Sequence, residues 1–167
     1  MSIRIGILTV SDRSSRGERP DTSGSALADS VTQQGWQVIR TAIVPDELEK
    51  ITSTLVSWSD GGEMDVVLTT GGTGFSSRDV TPEATLAVIQ RPTPGLSEAM
   101  RSAGLLITPH AMLSRAVAGI RMRTLIINLP GSPKGAIESL KVLLPVLPHA
   151  VQLLQEDPSA EAGHSAI

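Results

Sequence analysis

The chain has 167 residues, 40% of them hydrophobic and only 19% charged, which suits one globular domain and excludes a disordered chain. Fourteen basic against 17 acidic residues give a net charge of −3, and the aromatics are only Trp36, Trp58 and Phe75; both facts argue against nucleic-acid binding. Without cysteine there are no disulfides, thiol catalysis, Fe–S clusters or Cys-ligated zinc, and His110, His149 and His164 lack metal-ligand spacing.

In chain order, Ile3–Val10 is a short apolar, β-branched run and predicts a buried strand. A polar loop, Ser11–Thr22, follows. Ser23–Gln34 predicts a helix, with Leu27 and Val31 on one face and Gly35 as its stop. Trp36–Val44 predicts a second strand. Asp46–Trp58 predicts an amphipathic helix with Leu48, Ile51, Leu55 and Trp58 on one stripe. Asp65–Thr70 is a third buried strand, Gly71–Thr81 a glycine-rich turn, and Pro82–Ile89 a helix with Thr81 as its cap. Pro94–Leu106 predicts another helix. Ala116–Ile120 and Thr124–Leu129 predict two strands of a hairpin around Arg121-Met122-Arg123. Pro133–Leu144, capped by Ser132, and Val146–Gln155 predict two closing helices broken at Pro145. Residues 1–155 are expected to form a single domain, with 156–167 a flexible tail. The longest apolar stretch, Val142–Leu147, is far short of the roughly 20 residues that span a bilayer, so no membrane partner and a cytoplasmic location are expected.

Alternating strands and helices predict an α/β fold: a mainly parallel sheet with helices on both faces and ligands at the carboxyl ends of its strands. The unusual clusters of Gly, Asp, Thr and Asn all fall on that edge. They are Ser11-Asp12, Asp46, Thr70-Gly71-Gly72-Thr73-Gly74 with Arg78-Asp79, and Asn128-Leu129-Pro130-Gly131-Ser132. Glycines bring a backbone close to a ligand and present N–H groups to an anion, so the Gly71–Gly74 turn predicts a phosphate site rather than an ordinary tight turn. It is neither a P-loop nor a dinucleotide fingerprint. Asp79 is a candidate for Mg²⁺, against an alternative as a salt bridge to Arg78 or a loop cap. Asp46 reads equally as a helix N-cap, which would explain it without chemistry. Asn128 offers a donor and an acceptor, the Ser132-Pro133 helix start offers free N–H groups, and Lys134 a charge. Arg16 and Arg19 read as solvated surface, and Ser114-Arg115 as a strand start facing either way. Two anion-friendly turns with acids between them suggest magnesium-assisted phosphoryl or nucleotidyl transfer.

Several segments, taken together and in order, resemble the molybdopterin adenylyltransferases: the bacterial MogA/MoaB proteins and the plant and gephyrin G domains. These segments are Gly6–Asp12, Val44–Glu47, Thr70–Gly74 with Arg78–Ala84, Thr93–Leu96, Ala111–Arg115 and Ile127–Gly131. The resemblance implies a three-layer α/β/α domain with a partly mixed sheet, assembled as a homotrimer. It implies transfer of AMP from ATP to molybdopterin with Mg²⁺, in molybdenum cofactor biosynthesis, and delivery of the product to a molybdenum-inserting protein. Asp46 and Asp79 match the family's catalytic aspartates and the expected Mg²⁺ ligands. Thr70, Gly71, Gly72, Thr73 and Gly74, with Ser11 and Asp12, match its nucleotide side. Ser114, Asn128, Pro130, Gly131 and Ser132 match its molybdopterin side. Gly104 stands where the plant relative has a serine. The alternative within the resemblance is a MoaB-type binder or trimeric scaffold without adenylylation.

Overall fold

The computed structural model describes residues 2–160, so most of the expected tail, 161–167, lies outside the described residues. Four strands, β1 (Arg4–Val10), β2 (Gln37–Val44), β3 (Val66–Thr70) and β6 (Thr124–Leu129), run parallel. Two more, β4 (Arg91–Pro92) and β5 (Ala118–Arg121), run antiparallel beside β6, giving a six-stranded sheet in the order β2-β1-β3-β6-β5-β4. The expected α/β fold with a mostly parallel, partly mixed sheet is therefore what forms. The hairpin between β5 and β6 turns through Met122, whose φ of 52° is left-handed. The two-residue β4 was not expected from the sequence.

Helices cover both faces. On one, Ile5, Ile7, Val66, Leu68 and Ile127 pack against α2 (Thr22–Gln33), α5 (Pro94–Leu105), α6 (Pro133–Leu143) and α7 (Leu147–Leu154). On the other, Leu8, Val10, Val67 and Ile126 pack against α3 (Leu48–Asp60) and α4 (Thr81–Val88). Alternation along each strand sends successive side chains to opposite layers, and with helices on both faces β1, β3 and β6 are buried from end to end except at Arg4. The expected stripe on α3 holds for Ile51, Leu55 and Trp58, but Leu48 at its first turn is exposed.

Several helix starts differ from expectation. Within the polar loop, Asp12–Ser15 forms a short helix, α1, because Ser11 accepts the Ser14 N–H as its cap. α2 starts at Thr22, one residue before the expected Ser23, with Asp21 capping it through the Gly24 N–H. Ser132 caps α6 as expected, accepting from Gly135. Residues 156–160 return to the body: Glu156 pairs with Arg123, and Ala160 is buried. Among the described residues no single helix is long and apolar enough to cross a membrane.

Candidate functional site

The parallel strands end level with one another. Val10 pairs with Val44, Thr9 with Thr70, and Thr70 with Leu129, so the segments that follow emerge along one sheet edge. This edge gathers Ser11-Asp12, Asp46, Gly71–Gly74 and Pro130–Ser132, as expected of an open α/β sheet.

The glycine-rich loop takes its shape from two left-handed residues, Gly71 at φ 101° and Gly72 at φ 66°. A side chain at Gly71 would strike the Val10 carbonyl, and one at Gly72 would strike the Thr81 hydroxyl. Thr81 lies inside the first turn of α4 rather than capping it, because its hydroxyl donates to the Gly71 carbonyl at 2.9 Å and its N–H to the Gly72 carbonyl at 3.1 Å. Among the described residues, the N–H groups of Gly72, Thr73 and Gly74 donate to nothing. Three successive unpaired N–H groups on such a loop suit an anion.

Asp46 is not the cap of α3; Glu47 holds that position and makes no side-chain cap bond. Asp46 Oδ2 instead accepts the Asp12 N–H at 2.8 Å, while Asp12 Oδ1 accepts the Asp46 N–H at 3.0 Å. Burial, with the charges of Asp12 and Asp79, pushes the Asp46 carboxyl above its ordinary value. Asp79 does not pair with Arg78; its Oδ2 accepts the Ser76 N–H at 3.0 Å, closing its own loop. Arg78 forks onto Asp12, with both contacts at 2.9 Å, and this holds the Asp12 carboxyl below its usual range.

Two cavities meet at the glycine-rich loop. The more polar one, about 550 Å³, is lined by Ser11, Asp12, Asp46, Gly71, Gly72 and Asp79, together with Thr70, Gly131 and Ser132. The other, about 470 Å³, has mainly apolar walls that include Met100, Ile107, Leu113 and Val142, with Thr73, Gly74, Ser114, Pro130 and Ser132 also in its lining. Gly104 also lines it, and a Cβ there would come within 2.8 Å of the Ala111 Cβ, so its hydrogen lets the turn at Pro109–Leu113 close in.

Some expected contacts have other employment. Asn128 is fully buried and lines neither cavity: its amide donates to Thr69 and Thr85 hydroxyls and accepts the Val117 N–H, joining β6 to its neighbours. The Thr70 hydroxyl, in the lining of the polar cavity, donates to the Pro130 carbonyl at 2.7 Å and so ties the two turns together. The Asp12 carboxylate is engaged by Arg78 and by the Asp46 N–H, so it secures Asp46 in the lining of the polar cavity. Lys134 points outward near Glu138 and lines neither cavity.

The sequence did not disclose the placement of Arg19 or the role of Arg115. Arg13 and Arg19 line the polar cavity, though Arg19 was read as solvated surface. Arg115 donates from its backbone N–H to the Thr73 carbonyl at 2.9 Å, from Nε to the Gly74 carbonyl at 2.8 Å and from Nη2 to the Asp79 carbonyl at 2.7 Å; its Nη1 pairs with Glu83. Apart from its place in the Ala111–Arg115 segment, the sequence signal was a cation before a strand, which does not say where it points.

A glycine-rich loop and two cavities on one edge define the class of open α/β domain that holds ligands at its strand ends. The family described as "Probable molybdopterin binding domain" matches residues 6–149, and the chain belongs to this MogA/MoaB-type family. It is 43% identical over 155 residues to a molybdopterin adenylyltransferase of Helicobacter pylori, covering 92% of this chain and 88% of that protein. It is 43% identical over 171 residues to gephyrin of Dictyostelium discoideum, covering 96% of this chain and only 24% of that much longer protein. The structure of the molybdopterin biosynthesis enzyme MoaB from Thermus thermophilus superposes with a TM-score of 0.88 at 52% identity, covering 93% of this chain and 98% of that one.

Proposed function

We propose that this chain transfers AMP from ATP to the terminal phosphate of molybdopterin, releasing pyrophosphate, as a step of molybdenum cofactor biosynthesis. The observation that carries this reading is the meeting of two cavities of unlike character at one row of free N–H groups, with Asp46 and Asp79 beside it. The names of the relatives support the same chemistry.

In this reading the polar cavity takes the nucleotide and its phosphates. The apolar one takes the pterin between carbon walls, with Ser114, Pro130 and Ser132 at the phosphate end. The attacking oxygen of molybdopterin is already anionic, so no strong general base is needed. It forms a bond to the α-phosphorus as the bond to the β-phosphate oxygen breaks, and pyrophosphate leaves with that electron pair. The loop amides hold the transferred phosphoryl group, and positioning with charge neutralisation dominates. Mg²⁺ fits the donor set. Among the described residues no three acids or histidines form a complete metal group, but this ion commonly uses one or two carboxylates plus substrate phosphates. Asp46, whose proton affinity is raised by burial and then by neighbouring negative charge, and Asp79 would hold it, and it would neutralise phosphate charge there. A homotrimer, a cytoplasmic location and hand-over to a molybdenum-inserting protein belong to the same reading; light scattering tests the first.

The deciding experiment incubates the chain with molybdopterin and Mg-ATP and assays adenylylated molybdopterin. Transfer by the wild type, with a loss of about 100-fold or more in a folded Asp79→Ala protein, is the expected result. Binding of molybdopterin without transfer would make the chain a MoaB-type binder instead. Near-normal transfer by Asp79→Ala would remove Asp79 from the chemistry.

A further inference from the structure

We infer that Arg115 is a positioning residue that turns the carbonyls of the glycine-rich loop away from the cavities, so that its N–H groups face the reacting phosphates. The inference rests on the reading of that loop as the phosphate site. A run of peptide units offers its N–H groups to one side only if its C=O groups are satisfied on the other. Here the work is divided between two residues. Thr81 takes the carbonyls of Gly71 and Gly72, and Arg115 takes those of Thr73 and Gly74 and then reaches on to Asp79. With Thr81 alone, the second half of the loop would have no partner for its carbonyls, and those oxygens could rotate toward an anion and repel it.

The guanidinium is suited to this by shape. Nε and Nη2 fork onto two carbonyls five residues apart, while Nη1 is anchored to Glu83 in the first turn of α4. All three nitrogens are engaged within the protein, so Arg115 acts through the loop and not on substrate. A lysine supplies the charge but not the planar fork, and cannot make the three contacts together. Arg115 also joins the two subsites. Its chain neighbour Ser114 lines the apolar cavity, and the peptide it grips at Asp79 carries a carboxylate of the polar one.

The test compares Arg115→Lys and Arg115→Gln with the wild type in AMP transfer, alongside thermal melting. The expected result is kcat lower by about 30-fold or more in both folded variants, with the KM for molybdopterin within about threefold, as loss of orientation without loss of pterin contacts requires. A folded Arg115→Lys protein with wild-type kcat overturns the inference. Should neither variant fold, Glu83→Gln decides: loosening the anchor lowers kcat with KM held, and an unchanged kcat overturns it. If the wild type transfers no AMP, the functional reading fails separately, and titration with pyrophosphate then judges Arg115. Affinity weaker by about tenfold or more in Arg115→Lys supports the inference, and equal affinity overturns it.

Discussion

Asp12 and Asp46 each accept the other's backbone N–H, at 2.8 and 3.0 Å, so two acids that repel through their charges are locked through their peptides. Arg78 relieves the charge on Asp12. Asp46 has no such cation in hydrogen-bond contact and keeps an ionised form that is disfavoured by burial first and by Asp12 and Asp79 next.

Asp46→Asn separates stability from chemistry. A carboxyl with a raised folded pKa contributes stability that is fully present below the ordinary carboxylate range and is lost as pH rises through the raised value. Asparagine keeps an acceptor for the Asp12 N–H and carries no charge. The variant should therefore melt above wild type at pH 8, with the gain vanishing near pH 4, while AMP transfer falls by about 100-fold or more. A lower Tm at pH 8 with intact transfer would show that Asp46 serves the fold alone.

Arg78→Met should show the opposite pH trend. The Asp12 carboxyl is lowered by Arg78, so its stabilisation is present above the ordinary carboxylate range and fades as pH falls through the lowered value. The variant should melt slightly below wild type at pH 7, and the two melting curves should converge in acid. A constant difference in Tm across the whole range would point to packing rather than to this ion pair.

Gly72→Ala should damage the loop even though it adds one methyl group. The left-handed φ of 66° alone costs about 1–2 kcal/mol, and the new Cβ would collide with Thr81 Oγ1 and lie 3.1 Å from Asp46 Oδ1. Urea unfolding should show the destabilisation, and ATP binding by calorimetry should weaken with it. Wild-type affinity would mean that the loop can move without consequence.

Asn128→Ala should act on the fold and not on substrate affinity. It removes three hydrogen bonds of a fully buried amide and leaves the Val117 N–H without its acceptor, a loss of about 1–3 kcal/mol. Below its melting temperature the protein should bind molybdopterin with wild-type affinity. A selective rise in Kd would return Asn128 to the pterin contacts.

The parallel core was legible because β1, β3 and β6 are short, mostly apolar runs separated by segments of helical spacing, and glycine and acid clusters mark strand ends whatever the register. The roles of individual polar groups were not legible. Asn128 at a strand end looks the same in sequence whether its amide turns into the sheet or out to a ligand. Asp46 followed by Glu47 and Glu49 has the spacing of a helix cap, yet its carboxylate bonds to a residue 34 positions earlier. Arg115 gave no sign of gripping carbonyls 36 to 42 residues away in the chain, because long-range hydrogen bonds leave no periodicity.

The reversal of β5 against β6 gives the molecule a quiet pole. The Met122-Arg123 turn joins the end of β5 to the start of β6, while the glycine-rich loop and both acids lie beyond the strands' finishing ends, a full sheet-length away. Met122 is exposed there, and its N–H is held by Gln90. A dye, an affinity handle or a surface tether inserted at that turn would report on the molecule or immobilise it from the far end, leaving the chemistry at the other untouched.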